Sequence, residues 1–182
     1  MEETRQNPIG KRPKLSDGEQ NMTSIDRLSS LPDEVISHIL SFLPTMWSVA
    51  TSILGKRWRF LWAHVPCLDF SGVDFNDDGT QDSDIIHRVI LRHEAKRMDT
   101  LTLCDLNCND YQLETLITAA IDRGIQNLYL ELDFDTFPRC IFNCKTIVDL
   151  KLDVSYMRVL LSAVDNVSLP SLKKFHVSSS VV

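Results

Sequence analysis

The segment that most constrains the fold lies at residues 25–62 and reads IDRLSSLPDEVISHILSFLPTMWSVATSILGKRWRFLW. Pro32 suits the first position of a helix, where its missing N–H costs nothing, and the two acidic residues after it favour the helix dipole. Pro44 then ends this predicted helix. Between the two prolines, apolar side chains recur at helical spacing; they are Val35, Ile36, Ile39, Leu40 and Leu43.

Two further apolar clusters follow, separated by Gly55, and predict two more short helical segments. Their members are Val49, Ala50, Ile53 and Leu54, then Trp58, Leu61 and Trp62. A three-helix unit of this length cannot bury all of these side chains by itself, so we expect it to dock against something else. The pattern favours an adaptor or receptor over an enzyme.

Charge excludes other classes of function. The 182-residue chain has a formal net charge of −6, which is concentrated in residues 63–182, at about −7. An acidic body argues against a nucleic-acid surface, because phosphate binding needs net positive charge. No run approaches the roughly 18 uninterrupted apolar residues of a membrane span. We therefore expect neither nucleic acid nor a membrane as partner.

Residues 1–23 are polar and show no periodicity, so we expect a disordered tail. Within it, Lys11, Arg12 and Lys14 have the form of a short nuclear-import signal, although a solvated charge cluster is the alternative. The five cysteines, without an apolar secretory segment before them, indicate reduced thiols. These features predict residence in the nucleus, the cytoplasm or both.

Four segments later in the chain share the alternating pattern of a half-buried strand. They begin at residues 100, 127, 149 and 174 and read TLTL, NLYL, DLKL and KFHV, with first apolar positions 27, 22 and 25 residues apart. CLDF at 67–70 is an earlier, irregular member. We predict helices after Ser83 and before Gly124. The spacing is typical of leucine-rich repeats, and a plain α/β domain is the alternative.

Residues 25–62 resemble an F-box, on the motifs LPDEV at 31–35, ILSFLP at 39–44, VATS at 49–52, KRWR at 56–59 and LW at 61–62. The remainder is similar to the leucine-rich repeats of plant-type F-box/LRR proteins, at LDF (68–70), FNCKT (142–146) and SLPSL (168–172). The resemblance implies an α/β fold with a small three-helix F-box at 24–66 and a partial leucine-rich-repeat solenoid at 67–182. Family members usually carry more repeats, so we expect a C-terminally shortened product.

F-box proteins are non-catalytic substrate receptors of Skp–cullin–F-box ubiquitin ligases. The resemblance therefore implies that the F-box docks on a Skp-family adaptor and, through it, a cullin, while the repeats hold a target protein for ubiquitination. It assigns adaptor contact to Leu31, Pro32, Ile39, Leu43 and Trp58. The alternative for any of them, notably Ile39 and Trp58, is a place in the core of the unit itself.

Strand alternation predicts that the leucines at 101, 103, 128, 130, 150 and 152 point into the core. Solenoids use their concave face for binding, so we predict target contact for the opposite side chains, unless that face is simply solvated. These residues are Thr102, Tyr129, Lys151 and His176, flanked by Glu131, Asp153 and Lys174.

Competing chemistry has little support. The only metal-like pattern comprises Cys104, Cys108, Cys140 and Cys144, which could hold zinc as four thiolates. We predict no metal, because Cys104 ends a predicted strand and the family often keeps a cysteine at position 144 without metal. The five histidines are scattered and no nucleotide-binding or metalloprotease motif occurs, so we predict neither catalysis nor a cofactor.

An alternative function belongs to a different class. A shortened chain could bind the adaptor without recruiting any target, and would then compete with full-length receptors.

Overall fold

The computed structural model describes residue 28 and residues 30–71, 81–104, 106–132, 137–154 and 167–179, with the backbone alone at 81–83, 106, 107 and 132. The predicted tail and its nuclear-import residues Lys11, Arg12 and Lys14 lie outside these ranges. From Leu31 onward the described elements form one unit. The domain boundaries predicted from the sequence stay predictions.

Three helical segments follow Leu31, as the positions of Pro32, Pro44 and Gly55 predict. Helix α1 (Asp33–Leu40) begins after Pro32, and helix α2 (Thr45–Ala50) begins after Pro44. Helix α2 continues into a 3-10 helix at Thr51–Leu54, which Gly55 ends. Helix α3 (Trp58–Leu61) continues into a second 3-10 helix at Trp62–His64. We call residues 31–64 the helical unit.

Two buried hydroxyl groups fix helix α2 against its neighbours. The Ser48 hydroxyl donates to the carbonyl oxygen of Leu40 at 2.9 Å, and the Thr45 hydroxyl accepts from the Asp69 N–H at 2.7 Å. Both side chains are buried, so each contact satisfies groups that would otherwise be costly to remove from water. The helical unit is thereby joined to the start of the sheet.

The rest of the chain is built on parallel strands. They are β1 (Cys67–Asp69), β2 (Gln81–Asp82), β3 (Thr100–Leu103), β4 (Leu106–Asn107), β5 (Asn127–Leu132), β6 (Asp149–Val154) and β7 (Lys174–Ser178). The main sheet has the order β1-β3-β5-β6-β7, and β2 pairs with β4 in a separate two-stranded sheet. Helix α4 (Ser83–Arg92) connects β2 to β3, helix α5 (Asp110–Asp122) connects β4 to β5, and a 3-10 helix at Arg139–Asn143 precedes β6.

Entry into each strand of the main sheet after β1 repeats one hydrogen-bond pattern. Two consecutive N–H groups at the start of a strand donate to a single carbonyl just before the preceding strand. The accepting carbonyls belong to Pro66, Asp99, Gln126 and Val148, which precede β1, β3, β5 and β6. This repetition sets the register, so residues with the same place in the x-apolar-x-apolar pattern lie side by side.

The predicted core leucines are confirmed. Leu68, Leu101, Leu128 and Leu150 are register partners, as are Leu103, Leu130 and Leu152, and all are at most 2% exposed. The next register partner, Phe175, is 50% exposed. The inward face of the sheet thus forms a continuous apolar layer that becomes partly exposed at β7.

Helix α5 ends before Gly124, as the sequence predicts, and its start is fixed by a capping box that was not predicted. Asn109 and Gln112 form a capping box at its start, with hydrogen bonds of 2.9 and 3.0 Å. Gly124, just after its end, has a φ of 75°, a conformation that favours glycine. Its buried face packs against the sheet through Leu113, Leu116, Ile117 and Ala120.

Hydrogen bonds join the last turn of the helical unit to the residues that follow helix α4. The carbonyl oxygen of Ala63 accepts from the N–H groups of Glu94 and Ala95 at 2.8 and 3.0 Å. The buried His93 ring lies 2.7 Å from the carbonyl oxygen of Val65. These contacts hold residues 63–65 beside the C-terminal end of α4.

Candidate functional site

Large apolar side chains are unusually exposed on the helical unit. Of the 13 such residues among those that the structure describes, eight lie between positions 35 and 60. They are Val35, Ile39, Phe42, Leu43, Trp47, Ile53, Leu54 and Phe60, which we call the apolar surface. Exposure of this many apolar groups on a short unit is typical of a protein-binding site.

One part of the apolar surface runs along helix α1. Val35 and Ile39 are one helical turn apart and 42% and 41% exposed, while Ile36 and Leu40 of the same helix are fully buried. The apolar stripe predicted from the sequence is therefore wider than the face that the core can cover. Its outer edge is left for another molecule.

The predicted adaptor contacts are placed differently from one another. Pro32, Ile39 and Leu43 are exposed and Leu31 is partly exposed, so all four can reach a partner. Trp58 does not fit this prediction: it is 6% exposed and packs in the core, as the alternative interpretation had it. Trp58 is therefore a core residue and does not form part of the apolar surface.

Several exposed residues were not assigned from the sequence as site residues. Ile53 and Leu54 read as a helical stripe, yet they are 89% and 62% exposed because the short 3-10 turn directs them away from the core. Phe42, Trp47 and Phe60 are at least 61% exposed as well. The usable signal was an excess of apolar residues over what so short a unit can bury.

Arg57 organises the N-terminal edge of the apolar surface. Its Nε atom lies 2.6 Å from Oδ1 of Asp33, and its Nη2 atom donates to the carbonyl oxygen of Leu31. Both contacts join the segment before α3 to the start of α1. Arg57 therefore helps to position Leu31 and Pro32, in addition to the packing of Leu31 against the core.

The predicted target-binding residues share one face of the sheet. Thr102, Tyr129, Lys151 and His176 are consecutive register partners across β3, β5, β6 and β7. Two residues further along β5 and β6, and so on the same face, Glu131 is the register partner of Asp153. Side chains alternate between faces along a strand, so this set lies opposite the buried leucines. We call it the polar face.

Internal contacts order the side chains of the polar face. The Nζ atom of Lys151 lies 4.3 Å from the Tyr129 ring centroid, a cation–π geometry. Lys174 pairs with Asp149 at 3.4 Å, and the Ser178 hydroxyl donates to Asp153 at 2.9 Å. The polar face thus carries both signs of charge in defined positions, which suits a charged and hydrogen-bonding partner.

Burial disfavours the thiolate form of three of the cysteines. Burial, with a contribution from nearby Asp110, raises the pKa of Cys108 to about 11, and burial also raises the pKa values of Cys67 and Cys140. A zinc ligand needs the opposite, a thiol that ionises readily. Across the described ranges, no group of three or more His, Cys, Asp or Glu side chains could hold a metal ion.

Comparison with known proteins assigns the helical unit to a class. The F-box domain family matches residues 28–70, which includes all of the apolar surface. Residues 28–70 are therefore an F-box domain.

Within the described parts of the chain, no helix is both long and apolar enough to cross a membrane.

The relatives extend the match beyond the F-box. The chain is 39% identical over 135 residues to a protein named as an FBD-associated F-box protein, with 70% of this chain and 31% of the relative aligned. It is 35% identical over 164 residues to an F-box/FBD/LRR-repeat protein (83% and 35%) and 34% identical over 171 residues to an F-box/LRR-repeat protein (86% and 32%). All three are from Arabidopsis thaliana. The chain is a plant F-box/LRR-type protein, and it spans about a third of the length of these curated relatives.

Proposed function

We propose that the chain is a substrate-receptor subunit of a Skp–cullin–F-box ubiquitin ligase and has no bond chemistry of its own. In this proposal the F-box docks on a Skp-family adaptor, which connects the chain to a cullin. The observation that carries the proposal is the apolar surface, which lies within the F-box match and has no cover from the described part of the chain.

The physical basis is the burial of this surface on binding. A fully buried Val, Leu, Ile or Phe side chain contributes roughly 1.5–3 kcal/mol relative to an exposed one. Even a few such side chains, held by an ordered scaffold, give enough favourable free energy to offset the cost of association. The hydrogen bonds of Arg57, Ser48 and Thr45 order the scaffold before binding.

We further propose that residues 67–182 are part of a leucine-rich-repeat solenoid whose polar face binds the target. The repeated strand-entry hydrogen bonds and the parallel order β1-β3-β5-β6-β7 support a repeat architecture. A receptor of this kind works by raising the effective concentration of the lysines of its target near the ubiquitin-charged enzyme. Thr102, Tyr129, Lys151 and His176 are the proposed central contacts, with Glu131, Asp153 and Lys174 around them.

The adaptor proposal is tested by isothermal titration calorimetry of the full chain with a purified Skp-family adaptor. An Ile39→Ser/Leu43→Ser variant should bind at least about tenfold more weakly, since two exposed apolar anchors are lost. Tyr111→Ser is the matched control, because Tyr111 is 79% exposed on α5, outside the F-box. Equal binding by all three proteins would refute the assignment of these two residues.

The target proposal is tested by proximity labelling in plant cells with the wild-type chain and a Glu131→Lys/Lys151→Glu variant. Partners that bind the polar face should disappear with the variant while the adaptor stays bound. Glu114→Lys/Lys145→Glu, the same charge swap at two exposed positions outside the polar face, is the matched control. An identical set of partners for all three chains would count against the polar face.

We also propose nuclear residence, supported by Lys11, Arg12 and Lys14. Replacing these three residues by alanine in a fluorescent fusion should move the protein towards the cytoplasm. Unchanged distribution would remove this proposal and leave the adaptor and target proposals intact.

A further inference from the structure

A groove of about 640 Å³ lies where the F-box meets helix α4. From the F-box it is lined by Val49, Ser52, Arg59, Phe60, Trp62 and Ala63, and from beyond it by Leu91, Arg92 and Glu94. The floor is apolar, because Trp62 and Ala63 are buried and Val49 is partly buried. The F-box match ends at residue 70, so α4 supplies a wall that the F-box domain does not contain.

Hydrogen bonds hold the two walls of the groove in place. The carbonyl oxygen of Ala63, on the F-box side, accepts from the N–H groups of Glu94 and Ala95 at the end of α4. His93, one residue after α4, bonds the carbonyl oxygen of Val65 at 2.7 Å. The groove is therefore formed before any partner arrives, which lowers the ordering cost of filling it.

Apolar side chains project at the rim of the groove. Phe60 is 61% exposed and Leu91 is 75% exposed. Leu91 stands outside the buried face of α4, which uses Ile86, Val89 and Ile90. An amphipathic helix that served only the core would have a polar residue there. Leu91 thus extends the exposed apolar area beyond the F-box.

The groove is continuous with the apolar surface. Ser52, which lines the groove, lies in the same 3-10 turn as the exposed Ile53 and Leu54, and Phe60 belongs to both. A partner that covers Ile53 and Phe60 of the apolar surface would therefore also contact Leu91, which lines the same groove as Phe60. This continuity favours the partner of the F-box as the occupant of the groove.

The charged side chains at the rim of the groove indicate which groups the occupant should carry. Arg59 and Arg92 both line the groove and are exposed, and within the described ranges neither makes an ion pair. Among the described residues of the lining, Glu94 is the one acidic side chain, and its Oε2 atom lies 3.7 Å from Nε2 of His64. Two unpaired guanidinium groups beside an apolar floor fit carboxylates that flank an apolar side chain.

We infer that the adaptor-binding surface extends past the F-box onto helix α4, where Leu91 and Arg92 contact an acidic, partly apolar segment of the same Skp-family adaptor. This inference rests on the proposed function. It assigns to α4 a binding role in addition to its structural one, and it explains why an exposed leucine stands next to an unpaired arginine at the end of that helix.

Calorimetry of the full chain with a purified Skp-family adaptor tests the inference. Leu91→Ser should weaken binding about fivefold to tenfold, and Arg92→Glu should weaken it similarly and reduce its dependence on salt. The matched controls are Tyr111→Ser for an exposed apolar side chain and Arg139→Glu for an exposed arginine that lines a different cavity, beside α5. Both controls should bind like the wild type.

The outcomes separate the inference from the proposed function. If the wild type binds and Leu91→Ser and Arg92→Glu bind equally well, the extension is refuted while the receptor role stands. If the folded wild type does not bind the adaptor, both are refuted. If the wild type sediments as a dimer and Leu91→Ser as a monomer, a second copy of the chain occupies the groove and the inference is wrong.

Discussion

The Nδ1 atom of His93 lies 3.0 Å from the Nη1 atom of Arg123, and its Nε2 atom lies 2.7 Å from the carbonyl oxygen of Val65. A carbonyl oxygen can only accept, so Nε2 carries the proton and donates it, and Nδ1 accepts from the guanidinium group. The buried ring is therefore neutral. It joins the end of the F-box to the residue after helix α5.

This arrangement predicts loss of stability in mild acid. Burial lowers the pKa of His93 below its ordinary value of 6.5, and the nearby Arg123 and His64 lower it further. The hydrogen bond to Val65 raises the pKa and offsets only part of this effect. The unfolded chain takes up the proton near pH 6.5 and the folded chain only at lower pH. The free energy of unfolding should therefore fall as the pH drops below 6.5, by at most about 1.4 kcal/mol per pH unit from this group.

Urea denaturation at several pH values between 5 and 7.5 measures this effect. His93→Gln, which has no proton to gain, should flatten the dependence although it also lowers stability overall. His176→Gln is the control, since His176 is exposed on β7. A pH dependence that is the same in His93→Gln and the wild type would contradict the account of this contact.

A second prediction compares the same substitution, leucine to alanine, at a buried and at an exposed position. Leu130→Ala removes a fully buried side chain from the middle of the sheet and should cost about 2–5 kcal/mol in the free energy of unfolding. Leu91→Ala removes a side chain that is 75% exposed and should change it by no more than about 0.5 kcal/mol. Chemical denaturation of both variants checks this, and a similar loss in both would contradict the described packing.

A third prediction concerns the turn after α5. Gly124→Ala should destabilise the protein by about 1–2 kcal/mol, because Gly124 has a φ of 75° and a side chain is strained there. Gly55→Ala should have a small effect, since its backbone is extended and a Cβ atom would meet Trp58 only at 3.9 Å. Thermal denaturation of the two variants compares them directly. A larger loss at Gly55 would reverse this assignment.

A fourth prediction concerns the contacts between Arg57 and the residues before α1. Arg57→Ala should weaken adaptor binding about fivefold, since Leu31 and Pro32 lose the side chain that positions them. Lys56→Ala, a change at the exposed neighbouring residue, should leave the affinity unchanged. Calorimetry with the purified adaptor distinguishes the two. Equal affinities for both variants would show that Arg57 does not position the site.

Much of the fold follows from local pattern. Pro32, Pro44 and Gly55 mark the helix boundaries, and the x-apolar-x-apolar segments give the strands and their buried leucines. These features are predictable because they depend on backbone geometry and on side-chain alternation along a strand. The register of the polar face also follows, since neighbouring parallel strands align equivalent positions.

The binding surface was harder to predict from the sequence. Helical spacing identifies Ile39 and Trp58 as apolar positions of short helices but does not say which of them faces the core, and the structure buries Trp58 and exposes Ile39. The positions of Arg57 and of Leu91 depend on contacts between segments about 25 and 30 residues apart in the chain. Such contacts come from tertiary packing, which no local pattern records.

The most direct test of the receptor role is co-elution of the full chain with a purified Skp-family adaptor and a cullin N-terminal domain on size-exclusion chromatography. We predict a single ternary peak for the wild type, and loss of this chain from that peak for the Leu31→Ala/Pro32→Ala variant with an unchanged circular dichroism spectrum. A folded wild-type chain that elutes apart from the adaptor would contradict the central claim.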